Sequence, residues 1–197
     1  MDPSALAVSR DAMRVVGGSL KGHALKSPAS GAIRPTSDRL RETVFNILAH
    51  SYGNPVTDAR VIDLFAGTGA MGIEALSRGA AFALLVDQGT EACALIRVNV
   101  TSLGLAGATR ILKRDARKLG RAPETERFDL AFLDPPYNQG LVAPTLAALR
   151  GGAWLSTDAL VVIEEAAQAE VAIPEGFAQI EQRCYGDTQV LFARITA

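Results

Sequence analysis

At 197 residues, with 48% hydrophobic content and a net charge of -1, the chain has apolar material for one full core and too little charge to coat a nucleic acid over its whole surface. Cys93 and Cys184 lack any paired spacing, and His23 and His50 sit in no ligand pattern, which argues against a disulfide framework, a zinc or other metal site and a histidine-based triad. No uninterrupted apolar run approaches the ~20 residues that span a bilayer, and Met1-Asp2-Pro3-Ser4-Ala5 has no basic region leading into an apolar one, so the expected compartment is the cytoplasm, with no membrane contact.

Residues 1 to about 13 read as a loose end. Met13-Arg14-Val15-Val16 and His23-Ala24-Leu25 flank Gly17-Gly18-Ser19-Leu20-Lys21-Gly22, the pattern of a short, basic, glycine-turned hairpin. After a loop with proline and glycine, Thr36 and Ser37 are candidate N-caps for a helix in which Leu40, Val44, Ile47 and Leu48 repeat at helical spacing, with Arg39, Arg41 and Glu42 off most of that stripe. From residue 60 on, strands expected at 60–64, 82–86, 109–112, 128–133 and 160–163 alternate with helices at 70–78, 91–103 and 142–149. Such alternation implies right-handed βαβ crossovers and a doubly wound, mostly parallel sheet. Residues 177–184 and 189–195, around the turn Tyr185-Gly186-Asp187-Thr188, close the chain as an antiparallel hairpin. Residues 1–50 are therefore expected to form a basic hairpin-and-helix extension, and 51–197 the main α/β domain.

In open α/β sheets ligands sit outside the carboxyl ends of the strands. The first strand runs into Asp63-Leu64-Phe65-Ala66-Gly67-Thr68-Gly69-Ala70-Met71-Gly72, whose glycines satisfy the dinucleotide spacing G-x-G-x-x-G. Asp63 separates the possible cofactors, because a carboxylate there repels a pyrophosphate and attracts an ammonium or sulfonium. S-adenosylmethionine carries both cations. Asp87, with Gln88 beside it, closes the second strand where a carboxylate can accept two ribose hydroxyls, and Asp115-Ala116 follows the third, placed to accept an adenine amino group and cover the ring. The fourth strand end is Asp134-Pro135-Pro136-Tyr137. Its prolines remove two N–H donors and fix φ, so Asp134 and the Pro135 carbonyl make a rigid acceptor pair for a planar group bearing –NH2, which Tyr137 can stack. Asp134 borders the cofactor cleft as well as the base.

Together these stretches resemble class I methyltransferases that modify exocyclic amino groups. Arg14-Val15-Val16-Gly17-Gly18-Ser19-Leu20-Lys21-Gly22 and Ile33-Arg34-Pro35-Thr36-Ser37-Asp38-Arg39-Leu40-Arg41-Glu42-Thr43-Val44-Phe45-Asn46 narrow the resemblance to the bacterial 16S ribosomal RNA guanine-N2 methyltransferase family, over most of residues 13 to 137. The resemblance implies a seven-stranded Rossmann-like methyltransferase fold, S-adenosylmethionine as cofactor, a guanine of 16S ribosomal RNA within an assembling 30S subunit as substrate, and catalysis by Asp134, Pro135 and Tyr137. A monomer is expected. The N-terminal basic residues Arg14, Lys21, Lys26, Arg34, Arg39 and Arg41, with Thr36, are the expected RNA contacts: seven Lys/Arg from Arg10 to Arg41 face only Asp11 and Asp38. A second cluster, Arg110, Lys113, Arg114, Arg117, Lys118 and Arg121, around Asp115, reads as the solvated face of a helix. Competing readings are an N6-adenine or protein-glutamine methyltransferase, a nicotinamide oxidoreductase supported by the glycine spacing alone, and a binding module without chemistry.

Overall fold

A computed structural model describes residues 13–27 and 37–196. Within them, helices α1 (Asp38–Ser51), α2 (Ala70–Ser77), α3 (Thr90–Ser102) and α4 (Val142–Gly151) flank strands β1 (Arg60–Leu64), β2 (Phe82–Asp87), β3 (Thr109–Lys113), β4 (Phe128–Leu133), β5 (Leu155–Ala166), β6 (Phe177–Tyr185) and β7 (Thr188–Ile195). The strands form one sheet in the order β3-β2-β1-β4-β5-β7-β6. The first five are mutually parallel, and β7 runs antiparallel to both neighbours. Strand order reverses between β1 and β4, which makes their carboxyl ends the switch point.

The central strands are largely apolar because both faces are covered, with Arg60, Asp63, Asp87 and Asp129 toward their ends. One face carries Ile62, Leu64, Val86, Ala131 and Leu133 against Val142, Leu146 and Leu149 of α4. The other carries Val61, Leu130, Phe132, Val162 and Phe192 against Val44, Phe45, Ile47 and Leu48 of α1 and Met71 and Ala75 of α2. Farther along that face, Ala83 and Leu85 meet Ile73 and Leu76 of α2, Ile96 and Val100 of α3, and Met13, Val15 and Leu25 of the N-terminal segment.

The N-terminal hairpin has one bridge, Arg14 to Ala24, in place of two strands, braced by Val15 N–H to His23 C=O at 3.0 Å and Gly22 N–H to Val15 C=O at 2.8 Å. Ser37 caps α1, its Oγ accepting from Leu40 N–H at 3.1 Å; Thr36 lies outside the described residues. Each large apolar side chain that α1 buries contributes roughly 1.5–3 kcal/mol, and Tyr52 at its end stacks on Phe192 with centroids 5.0 Å apart. Among the described residues, α1 packs on the sheet and Met13, Val15 and Leu25 pack with α2 and α3, so the segment before residue 51 shares the core of the α/β domain. Strand β5 is longer than the expected 160–163: β4 skips register between Phe128 and Leu130, so residues 156–159 bulge. At its other end Glu164, Glu165 and Ala166 continue the pairing to β7.

Candidate active site

Three carboxylates converge because three strands end level. Leu64 of β1 pairs with Val86 of β2 and Leu133 of β4, so Asp63, Asp87 and Asp134 sit within one residue of a common line at the switch point. The chain leaves β1 through Phe65, Gly67 and Gly69 at φ of 60°, 56° and 80°, a left-handed path easy for glycine and strained for Phe65. Strain at a non-glycine residue persists only where its surroundings over-determine it, and here the loop is tied down from both sides. Asp87 accepts from Gly67 N–H at 2.9 Å and from Gly89 N–H at 2.7 Å through its two oxygens. Asp63 Oδ2 accepts from Gly72 N–H at 2.9 Å. Gly72 is required by packing: a Cβ there would lie 2.2 Å from Leu85 Cδ2.

Asp63 is 2% exposed, and among the described residues it forms no ion pair. Burial, with Asp87 nearby adding repulsion, holds its carboxyl up at about 7 although the Gly72 N–H pulls the other way. A buried carboxylate lacking its cation fits the ammonium or sulfonium of S-adenosylmethionine and disfavours a pyrophosphate. Asp87 has lone pairs left for ribose hydroxyls after its two backbone bonds. Gln88 is exposed in the turn after β2. Asp115 caps the 3₁₀ turn Ala116–Lys118 by accepting from Arg117 N–H, and the Arg117 guanidinium binds both of its oxygens. Those bonds hold the Asp115 carboxyl down at about 2. The Ala116 side chain belongs to the core, which leaves its backbone and the Asp115 side chain as the groups at this strand end that could meet a ligand.

On the acceptor side, Asp134 N–H donates to Leu64 C=O at 3.4 Å, which anchors the tetrapeptide to β1. Pro135 is buried and Pro136 exposed. The Tyr137 hydroxyl donates to Glu164 Oε1 at 2.5 Å and lies 3.0 Å from Thr188 Oγ1. Burial and the Glu164 bond push its phenol well above the ordinary range, so the ring is neutral and fixed at its far end. Asn138, at φ 60°, donates its N–H to Glu165 at 2.9 Å. A small recess lined by Val44, Met71, Phe132, Val162 and Val190 runs up to Asp134 and Glu164, so α1 forms one wall of the acceptor side. A larger cleft of about 300 Å³, lined by Asp58, Asp129, Asp158 and Arg194, is at the opposite, amino-terminal end of the strands, away from this chemistry.

A family model described as "Conserved hypothetical protein 95" matches residues 13–194. The chain belongs to that family. It is 38% identical over 152 residues to "Ribosomal RNA small subunit methyltransferase D" of Escherichia coli (strain K12), covering 77% of this chain and 74% of the relative. A protein of the same name from Buchnera aphidicola is 28% identical, with 89% of each chain covered. A solved structure described as "Putative methyltransferase yhhF from Escherichia coli" superposes with a TM-score of 0.80 at 30% identity, covering 94% of this chain and 99% of that one. A hypothetical protein of Thermus thermophilus gives 0.72 at 32% identity and the same coverage. The fold is the Rossmann-like methyltransferase fold that the family resemblance implied.

In this member of the family the N-terminal basic residues divide. Arg14, Lys21, Lys26 and Arg39 are exposed, while Arg34 lies outside the described residues, as Thr36 does. Arg41 departs from expectation. It is 0% exposed, donating to the Arg14 carbonyl and to Asp38 at 2.7 Å, with Nε 3.5 Å from Glu74. A guanidinium enclosed in this way cannot meet a phosphate. Arg41 faces inward because Glu74, itself 0% exposed, waits on the buried face of α2, where Arg78 also pairs with it at 2.7 Å. The second basic cluster is tethered locally, Arg110 to Glu126, Lys113 to Thr90 and Arg114 to Leu119 C=O, as a solvated face would be, although it lies on β3 and a 3₁₀ turn.

Glu74, Asn99, Glu164 and Glu165 carry site geometry that the sequence pattern did not single out. Glu164-Glu165 had the signal used for the other strand ends, acids closing an apolar run. Glu74 and Asn99 had a subtler one, a lone polar residue on an otherwise apolar helical stripe, as at Ala92, Ile96, Asn99.

Proposed function

We propose that this protein transfers a methyl group from S-adenosylmethionine to the exocyclic N2 of a guanine in 16S ribosomal RNA. The observation that carries the reading is the level alignment of Asp63, Asp87 and Asp134 at the switch point, a cation-seeking carboxylate on one side and a rigid acceptor pair on the other. Kinship with proteins named ribosomal RNA small subunit methyltransferase D supports the substrate.

Asp63 would hold the ammonium end of the cofactor, Asp87 its ribose, and Asp115 with the Ala116 backbone its adenine. When bound, S-adenosylmethionine supplies an electrophilic methyl group on a sulfonium. The chain's own part is to make a poor nucleophile attack. The guanine N2 lone pair is delocalised into the ring; Asp134 and the Pro135 carbonyl, each accepting one amino hydrogen, localise it and aim it. The gain comes from orientation and fixed electrostatics. Tyr137, held at its hydroxyl by Glu164 and Thr188, offers its ring as the stacking surface. Asp134 or water takes the proton that N2 loses. The base must first leave its stack, at a cost of roughly a few kcal/mol that is lower in a loop.

Exposed Arg14, Lys21, Lys26 and Arg39 are assigned to phosphates. The substrate form is an assembling 30S subunit, and the protein acts as a cytoplasmic monomer; among the described residues no helix is long and apolar enough to cross a membrane. The test is incubation of labelled S-adenosylmethionine with unmodified small subunits and with naked 16S RNA, followed by mapping of the methylated base. Label on a guanine N2 is the expected result. Label on an adenine N6, or none on either RNA, overturns the assignment.

A further inference from the structure

Asn99 of α3 is 0% exposed and makes three side-chain hydrogen bonds, both of its amide hydrogens included, to two segments far apart in sequence. Its Oδ1 accepts from Lys26 N–H at 2.7 Å, and its Nδ2 donates to Lys26 C=O at 3.1 Å and to Thr68 C=O at 3.0 Å. Toward Lys26 the side-chain amide thus acts as a strand partner would. Thr68 lies between the two glycines of the cofactor loop. Its Oγ1 also donates to Met13 Sδ at 3.4 Å, and Leu25 N–H donates to Met13 C=O at 2.8 Å. Both legs of the basic hairpin therefore end on Thr68, one directly and one through Asn99.

The hairpin's tip rests on the same body. Val16 N–H donates to Glu74 at 2.8 Å, Leu20 N–H to Ser77 Oγ at 2.9 Å and Ser19 N–H to Ser77 C=O at 2.7 Å. Glu74 and Ser77 sit in the second half of α2, the helix that the cofactor loop opens. A Cβ on Gly18 would lie 1.9 Å from Ser77 C=O, so the contact allows no play. The segment bearing Arg14, Lys21 and Lys26 is fastened to both ends of one short helix whose N-terminus is the cofactor loop.

We propose that Asn99 is a positioning residue that joins the basic hairpin to the cofactor loop, so that cofactor occupancy strengthens the hairpin's hold on RNA. This rests on the RNA-methyltransferase reading above. A ligand seated on Gly67 and Gly69 restrains Thr68 between them, Asn99 passes that restraint to Lys26, and the ordering cost of the hairpin is then already met when RNA arrives. By linkage RNA tightens the cofactor by the same factor.

The experiment uses S-adenosylhomocysteine as the probe, with amide hydrogen exchange and 16S RNA affinity as readouts on the full chain. In the wild type the probe should slow exchange at Val15, Gly22, Leu25 and Lys26 and tighten naked 16S RNA about fivefold or more. Asn99→Ala should lose both effects while still binding each ligand. Asn99→Asp, which keeps the acceptor for Lys26 N–H but cannot donate to Thr68 C=O or Lys26 C=O, should lose the RNA effect too. Leu149→Ala, a core truncation on the opposite face of the sheet, controls for lost stability and should keep both effects. Unchanged hairpin exchange in the wild type overturns the proposal without any variant, and equal loss in Leu149→Ala reduces Asn99 to a structural residue. If the probe protects the hairpin but 16S RNA is never methylated, the functional reading fails and the link through Asn99 stands.

Discussion

Replacing Asp63 with asparagine removes a charge while keeping the oxygen that accepts from Gly72 N–H. In the free protein, burial holds the Asp63 carboxyl at about 7 against an ordinary 3.8. The folded state thus binds this proton more tightly than the unfolded chain does. Its stabilising contribution is complete below the unfolded value and is lost as pH rises through about 7. At about 1.4 kcal/mol per pKa unit, that gap amounts to about 4 kcal/mol, an upper figure for a carboxylate with one backbone donor. Urea unfolding of wild type and Asp63→Asn from pH about 4 to about 8 measures it: relative to wild type, the variant should gain up to about 4 kcal/mol as pH rises. Binding runs in the opposite sense. A ligand ammonium favours the ionised carboxylate, so wild-type affinity for S-adenosylhomocysteine should fall as pH drops below about 7, while the variant binds weakly and shows no such slope. A stability difference that does not change with pH, together with wild-type affinity in the variant, would refute the cation-seat argument.

Arg41→Ala should destabilise the protein by about 1–3 kcal/mol in urea, because it leaves the Arg14 carbonyl without its donor and takes one of two guanidinium partners from buried Glu74, which keeps Arg78, whereas exposed Arg39→Ala should stay within about 0.5 kcal/mol. Arg39→Glu should instead weaken 16S RNA binding and lower its salt slope by about one; an unchanged slope removes Arg39 from the phosphate contacts. Asp134→Ala should leave S-adenosylhomocysteine binding nearly intact and cut kcat by roughly 10²–10³ in single-turnover assays, the size expected for losing one fixed acceptor. Tyr137→Phe and Glu164→Ala should lower kcat by similar factors without changing cofactor affinity, since each removes the bond that anchors the ring. If only Glu164→Ala has an effect, the anchor is not what Glu164 provides.

Much of the site is legible without coordinates. Strands at 60–64 and 128–133 can be bounded to the residue because a strand covered on both faces is largely apolar, and a glycine-rich loop follows the first run while Asp134-Pro135 ends the second. The acids at those stops, the glycine spacing after Asp63 and the proline pair after Asp134 are short chemical patterns whose meaning does not depend on distant residues. From them follow the doubly wound sheet, a cationic cofactor and an amino-group acceptor. The long β5 escapes this reading, since Glu164-Glu165 look like an end until β7 supplies pairing partners. Arg41 escapes it as well. The periodicity of α1 places Arg41 off the apolar stripe, yet the face it occupies is buried because α2 brings Glu74 beneath it, a contact between residues 33 positions apart that no local pattern encodes. Asn99, 73 positions from Lys26 and 31 from Thr68, is the same case. The sequence by itself determined which groups stand at the strand ends, because that depends on local backbone chemistry; only the tertiary structure decided which charges reach solvent and which side chains tie the hairpin to the cofactor loop, because burial is a property of whatever packs against a face.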